Sequence, residues 1–189
     1  GIWSFTSQGT ADADQVKLKG VNPYLRLALS HEWGPHSAMI GVLAMNGEVY
    51  PDNLNPVGPT TQYRDRGVDA QYQYLLAPHA VTAQFSYIHE SIAHGDVTEV
   101  AANASNRLNQ LKLKATYSYQ AKYGASLGYF STTGTSDAVL YPDAASNPDT
   151  RGWVPELFWI PEQHLRAGIQ YFAYDRFHGA SKNYDGSGR

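Results

Sequence analysis

Ser30-His31-Glu32 puts a hydroxyl, an imidazole and a carboxylate in consecutive positions. These are the groups that acyl-transfer hydrolases combine. In an extended chain, however, neighbouring side chains leave on opposite faces, so His31 points away from Ser30 and Glu32 and no local triad forms. No serine stands in a Gly-x-Ser-x-Gly elbow. His89, Glu90, His94 and Asp96 are the one local cluster of metal-ligand types, at a spacing that matches no established zinc motif. His36, His79 and His164 fall beside or near prolines and read as solvated residues of short turns. The sharper alternative is a rim of imidazoles that binds a metal or a haem-bearing partner. The absence of cysteine excludes disulfides, thiolate metal sites and attached c-type haem. The chain therefore reads as a non-enzyme with no catalytic residues, no metal site and no cofactor.

The elements that would carry these residues are strands. From Val68 to His89 two runs alternate apolar and polar residues about a tight turn containing Pro78. Val68, Ala70, Tyr72, Tyr74 and Leu76 share one face; Asp69, Gln71 and Gln73 share the other. A period of two over this length means paired antiparallel strands with one apolar and one polar face. The unit recurs, predicting strands over 24–33, 37–45, 68–76, 81–89, 111–121, 125–131, 154–160 and 165–175, with 1–7 as the possible tail of another. Short turns at 34–36, 77–79, 122–124 and 161–164 alternate with long polar connections at 46–65, 89–109 and 132–151. The four short turns are expected on one rim.

That asymmetry predicts an all-β, antiparallel up-and-down transmembrane β-barrel, or the C-terminal portion of one, with about 8–10 strands in residues 1–189 as a single region. Trp33, Tyr50, Tyr63, Tyr87, Tyr129, Trp153, Trp159 and Tyr174 cluster near strand ends, where a membrane interface selects amphipathic rings. No segment reaches the roughly 18 apolar residues of a membrane-crossing helix. The net charge of −3 and the lack of a basic aromatic patch argue against nucleic acid. Asp12, Asp14, Asp52, Asp96, Glu99, Asp137, Asp143 and Asp149 supply much of that charge and are expected in solvated loops. Arg64-Asp65-Arg66 reads as a solvated rim at the foot of a long loop.

The phrases HEWGPHSAMIGVLAMNGEVYPD, YRDRGVDAQYQYLLAPHAVTAQFSYIHE and YFAYDRFHGASKNYDGSGR resemble an outer-membrane, porin-like barrel family of Gram-negative bacteria. The resemblance covers most of the chain from Tyr24 onward. Members are mostly of unassigned function, and some occur near multihaem cytochromes. The resemblance implies residence in the bacterial outer membrane, contact with membrane lipid and lipopolysaccharide, and either small solutes or a periplasmic or multihaem cytochrome as partner. It also implies a further strand after the loop-like run at 184–189, so the sequence reads as lacking a final strand and N-terminal strands.

Alternation assigns the faces. Leu25, Leu27, Leu29, Val81, Ala83, Phe85, Leu111, Leu113, Ala115, Leu165, Ala167 and Ile169 are expected to face lipid. Arg26, Glu32, Asp69, Gln71, Gln73, Gln84, Lys112, Lys114, Gln120, Arg166 and Gln170 are expected to line the pore. Lys or Arg at mid-bilayer depth on the lipid face costs about 2–4 kcal/mol, which forces this assignment in a membrane. The cations in that set outnumber Glu32 and Asp69, which predicts a passive channel leaning toward anions if the lumen is open; in a narrow barrel the same charges would pair across the lumen and plug it. Two alternatives stand beside it: a barrel that sheathes a cytochrome, and a soluble lipocalin-like barrel with its apolar face turned inward.

Overall fold

The computed structural model describes residues 2–3, 17–52, 54–95, 101–142 and 146–181. In chain order the strands are β1 (Ile2–Trp3), β2 (Lys17–Leu18), β3 (Asn22–Trp33), β4 (His36–Tyr50), β5 (Thr61–Leu76) and β6 (His79–Ala93). They are followed by β7 (Ser105–Tyr119), β8 (Tyr123–Gly134), β9 (Thr150–Glu162), β10 (Leu165–Gln170) and β11 (Ala173–Arg176). From β3 to β10 each strand pairs antiparallel with its sequence neighbours, giving one up-and-down sheet without helices among the described residues. The sheet is open: β1, paired to β3, ends one side, and β10, paired to β9, ends the other. The calls on Asp12, Asp14, Asp96, Glu99, Asp143 and the run at 184–189 lie outside the described residues.

An up-and-down meander puts alternate connections at alternate ends. The turns between β3 and β4, β5 and β6, β7 and β8, and β9 and β10 therefore share one rim, as the spacing predicts. A repeated bond ties neighbouring turns there: the Leu75 N–H donates to Pro35 O at 2.8 Å, Gln120 N–H to Pro78 O at 2.6 Å, and Ile160 N–H to Lys122 O at 2.6 Å. The longer connections, 51–60, 94–104 and 135–149, share the opposite rim.

Several boundaries differ from the sequence expectation. The strands run past the apolar stretches, through 46–50, 61–67, 90–93, 105–110 and 132–134, so the long connections are shorter than alternation indicates. In these extensions both faces carry polar residues, and the backbone ladder continues without an apolar period to reveal it. Gln120, expected in the pore, sits in a turn. Gln120 and Ala121 both take left-handed backbone (φ 54° and 55°), which ends β7 at Tyr119. His36 and His79 correct the other way, for each opens a strand instead of lying in a turn. The predicted strand 165–175 is interrupted at Tyr171 and Phe172. Tyr171 N–H donates to Pro155 O at 3.1 Å, but Pro155 has no N–H with which to return the bond.

The register places every glycine of β4 to β10 on the polar face: Gly41, Gly47, Gly67, Gly124, Gly128, Gly134, Gly152 and Gly168. A curled sheet crowds side chains on its concave face, so missing side chains there permit curvature. Gly124 shows the requirement, because a Cβ at that position would lie 2.1 Å from Cζ of Phe158, whose ring covers it. Gly124→Ala should destabilise the fold by about 1–3 kcal/mol through overpacking. In a double-mutant cycle with Phe158→Ala the cost should shrink, because the ring is gone. Additive losses in denaturation would show that the ring does not set the tolerance.

Candidate functional site

The polar face forms a cavity of about 750 Å³ whose lining runs from Arg26 on β3 to Tyr174 on β11, so the sheet curls far enough for distant strands to share one space. Of the sequence-predicted pore residues, Arg26, Asp69, Gln71, Gln84, Lys112, Lys114 and Gln170 line it together. Gln73 and Glu32 lie on the same face nearer the turn rim, where Ser37 Oγ donates to Gln73 Oε1 at 3.3 Å. Gln84 Nε2 donates to Gln71 Oε1 at 3.2 Å.

Two ion-pair groups bridge alternate strands, and each passes over a glycine. Arg26 on β3 reaches Asp69 on β5, with Nε to Oδ2 at 3.0 Å and a second bond from Nη2 to Oδ1. The strand between them presents Gly41, whose missing Cβ would lie 3.0 Å from Asp69 Oδ2 and 3.2 Å from Arg26 Nη2. Lys114 on β7 reaches Glu156 on β9 at 3.5 Å, past Gly128, its register partner on β8. Arg166 and Ser126 Oγ also donate to Glu156, the latter at 2.9 Å, and the Arg166 guanidinium stacks 4.3 Å over the Phe158 ring. Lys112 meets no carboxylate among the described residues.

Glu156 is the residue that sequence reasoning missed. It sits between Pro155 and Leu157 in a run that is apolar on both sides, so alternation did not assign it a face. Register also puts Asp65 and Glu90, which face each other on β5 and β6, on this side near the long-loop rim. The excess of cations inferred from sequence is therefore absent from the face as a whole.

The opposite face carries the aliphatic set. Leu25, Leu27, Leu29, Ile40, Val42, Leu113, Leu127, Leu157 and Ile169 are all exposed, Ile169 at 79%. Aromatic rings bracket this belt. Toward the turn rim lie Trp33, Tyr72, Tyr74, Tyr117, Tyr119, Tyr123 and Trp159; toward the other lie Tyr87, Tyr129 and Trp153. Tyr129 and Trp153 contact at 4.8 Å between ring centroids. His36 and His79 belong to the turn-side band, hydrogen-bonded to the hydroxyls of Tyr72 at 2.7 Å and Tyr117 at 2.9 Å. They lie in strands and not in turns, with His79 exposed. Two expected interface rings lie instead on the polar face: Tyr63, and Tyr174, which packs edge-on against Phe130 at 5.6 Å.

The remaining chemical candidates disperse. His31 stacks on Trp33 on the apolar face, away from Ser30 and Glu32. His89 bonds Asn109 on the apolar side, Glu90 points to the polar side, and His94 bonds Asn106 in the loop layer. No group of three or more potential metal ligands occurs among the described residues.

Asp137, expected in water, is 2% exposed. It joins two long loops: its carboxylate accepts N–H bonds from Ala102 and Asn103 at 3.0 Å, from Val139 at 3.0 Å and Leu140 at 3.1 Å, and an amide bond from Asn106 at 3.0 Å. Burial pushes this carboxyl up, but the bonds from Ala102, Asn106, Leu140 and Asn103 outweigh it and hold the group well below the usual carboxylate range. Asp149 is likewise engaged, accepting from Gly134 N–H at 3.2 Å and pairing with Arg176 at 3.5 Å.

Comparison of the chain with protein families, characterised proteins and solved structures finds no match. Geometry alone therefore carries the functional reading. For the loop clamp, Asp137→Ala should loosen loops 94–104 and 135–149 by about 2–3 kcal/mol, because it strands several buried donors. Faster proteolytic cleavage within those loops at neutral pH, with the strands intact, is the expected result. Because the folded pKa is depressed, the clamp is fully formed above the ordinary carboxyl pKa of about 4 and weakens as pH falls toward the folded value. Cleavage of the native loops that stays constant on acidification from pH 5 to pH 2 would contradict this.

Proposed function

We propose that the sheet is the wall of an outer-membrane β-barrel that acts as a passive channel for small polar solutes. The observation that carries this reading is the exposed aliphatic belt, bounded on both sides by aromatic rings and backed by a charged concave face. Exposed apolar patches on monomeric soluble proteins rarely exceed a few hundred Å², whereas this belt extends over consecutive strands. Tyr123 and Tyr129, and Trp153 and Trp159, are set six residues apart on paired strands, about 20 Å along each strand. With the rings included, that is on the order of the apolar band of roughly 25 Å on known membrane barrels.

The same geometry argues against the lipocalin-like alternative. That reading needs an apolar interior, yet the cavity holds Arg26, Asp69, Lys112 and Lys114 while the leucines point outward. Nothing in the described residues favours the cytochrome sheath over the channel.

In a barrel, the edges at β1 and β10 would be covered by further strands or by each other, because unpaired backbone groups in lipid cost several kcal/mol each. Ion pairing within the cavity would leave it only weakly selective. Glu156 neutralises Lys114 and Arg166, and Asp69 neutralises Arg26, so Lys112 dominates the local field at mid-cavity.

Cysteines introduced singly at 111, 112, 113 and 114 provide the test of sidedness. In lipid, a water-soluble thiol reagent should label positions 112 and 114 and leave 111 and 113 untouched. The reverse pattern would establish a soluble barrel with an apolar interior.

Conductance tests the channel itself. Reversal potentials under a salt gradient should move toward cation preference in Lys112→Glu and move less in Lys114→Glu, where a carboxylate already neighbours the site. A bilayer that stays silent with the full-length protein would remove the channel and leave the sheathing role.

A further inference from the structure

Arg64 and Arg66 were read from sequence as a solvated rim at the foot of a loop. Because β5 begins at Thr61, they belong to a strand, and alternation sends both to the apolar-belt side while Asp65 turns inward. Arg64 pairs in register with Ser91 on β6, and Ser91 with Arg107 on β7, so a hydroxyl lies between two guanidinium-bearing positions in one cross-strand row. The next row toward the belt is Arg66, His89 and Asn109; the one after it, Val68, Tyr87 and Leu111, begins the apolar band.

A shallow cavity of about 190 Å³ opens at the first row, lined by Arg64, Ser91, Arg107, Ala93 and Ser105 among others. The small side chains of Ala93 and Ser105 leave its floor open. Neither Arg64 nor Arg107 pairs with a carboxylate among the described residues, and Glu48 on the same surface is engaged by Lys19 at 3.4 Å and by Gln62. Arg64 donates to the neutral Gln62 Oε1 at 3.5 Å and the Ser91 hydroxyl lies 3.4 Å from His89 Nε2, so two cations without counter-ions flank a hydroxyl. The base of the cavity is fixed: Asn106, next to Arg107, is 3% exposed and bonded to both Asp137 and His94.

Position identifies the anion. Strands two apart are separated by about 9–10 Å, so two arginine forks can converge on one group between them. Ser91 lies four residues beyond Tyr87, about 13 Å along the strand and less along the normal of a tilted barrel. Bilayer headgroups occupy a layer of about 5–8 Å beyond each edge of the hydrocarbon, which places phosphates between the Arg66 row and the Arg64 row.

We propose that Arg64, Ser91 and Arg107, with His89 Nε2 3.4 Å from the Ser91 hydroxyl, form an outward-facing headgroup site for a phosphate-bearing lipid of the leaflet on the long-loop side. The acyl chains of that lipid would lie on Val68, Tyr87 and Leu111 directly below. The inference rests on the membrane reading above but is separable from it. A guanidinium pair is suited to bidentate capture of phosphate, and a hydroxyl between them adds a neutral donor. Lipid bound in this way would hold the wall at a fixed depth and seal its long-loop edge.

The test uses the full chain in detergent micelles, titrated with a bisphosphorylated diglucosamine lipid or its dephosphorylated analogue, with bound lipid counted by native mass spectrometry. The wild type should retain the phosphorylated form preferentially. Each of Arg64→Gln and Arg107→Gln should weaken it about tenfold, and the double variant about a hundredfold. Lys122→Gln, at the opposite rim, should change nothing. Equal binding of the two lipids, or a double variant that binds like the wild type, would overturn the site. Displacement of the lipid by millimolar inorganic phosphate would show a small-anion site and overturn the lipid assignment. Insertion into vesicles of zwitterionic phosphatidylcholine is measured in parallel. Protein that inserts without discriminating phosphate defeats this inference alone, whereas protein that does not insert defeats the membrane reading with it.

Discussion

Apart from Pro148 and three glycines, Ile92 and Ala101 are the only apolar residues buried among those described, at 6% and 0% exposure. A soluble domain draws most of its stability from covering apolar surface, at about 25 cal/mol per Å² removed from water. This sheet covers almost none internally. Its integrity rests on the backbone ladder, continuous across β4 to β9, and on whatever medium covers its outer belt. In hydrocarbon the ladder becomes more costly to break, because a released N–H or C=O finds no water there. One environment would therefore supply both the cover for the leucines and the penalty for opening the strands.

Given that division of labour, the concave face is free to be polar, and its problem becomes crowding. Glycines answer it locally. Over Gly41 there is room for a charged side chain to cross a whole strand and meet its counter-ion on the next but one, and Lys114, paired in register with Gly128, likewise reaches Glu156 two strands away. Over Gly124 there is room for Phe158, which in turn supports Arg166 beside Glu156. Curvature and charge neutralisation are thus the same feature: the missing side chains that let the sheet curl also let the ions pair. A cavity built this way is polar without carrying a strong field.

The faces were legible in the sequence because a period of two is a direct consequence of strand geometry, and nothing in tertiary packing overrides it where no second layer covers the sheet. Arg26, Asp69, Gln71, Gln84, Lys112, Lys114 and Gln170 were assigned to the cavity face on that ground, and the structure brings them together there. What was not legible follows from the same cause. Beyond the belt both faces are wet, so the period vanishes and the strand ends at Tyr50, Thr61, Ala93 and Ser105 leave no trace in the pattern. Gln120 looked like one more alternating residue, since only backbone geometry shows that it turns the chain. Glu156 was concealed by apolar neighbours, and Asp137 by the assumption that a loop carboxylate faces solvent.

The two rims are held together by different means. At the turn rim, successive hairpins are tied by backbone carbonyls of the turns themselves, at Pro35, Pro78 and Lys122, and the histidine–tyrosine pairs brace adjacent strands just above. Such bonds need only short connections and no particular loop sequence. At the other rim the strands extend past the belt and the loops are long, and side chains do more of the tying: Asn103 Nδ2 donates to Ser136 O at 2.8 Å across two loops. A buried carboxylate gathers donors from two loops around Asp137 and, through Asn106, fixes the end of β7, while Asp149 ties Gly134 to Arg176. The turn rim thus depends on geometry that many sequences could satisfy, and the loop rim on particular side chains, with the buried Asp137 making the most bonds among them. The loop rim is therefore the end at which a change of a single side chain, or of pH, can alter the mouth of the cavity without disturbing the wall.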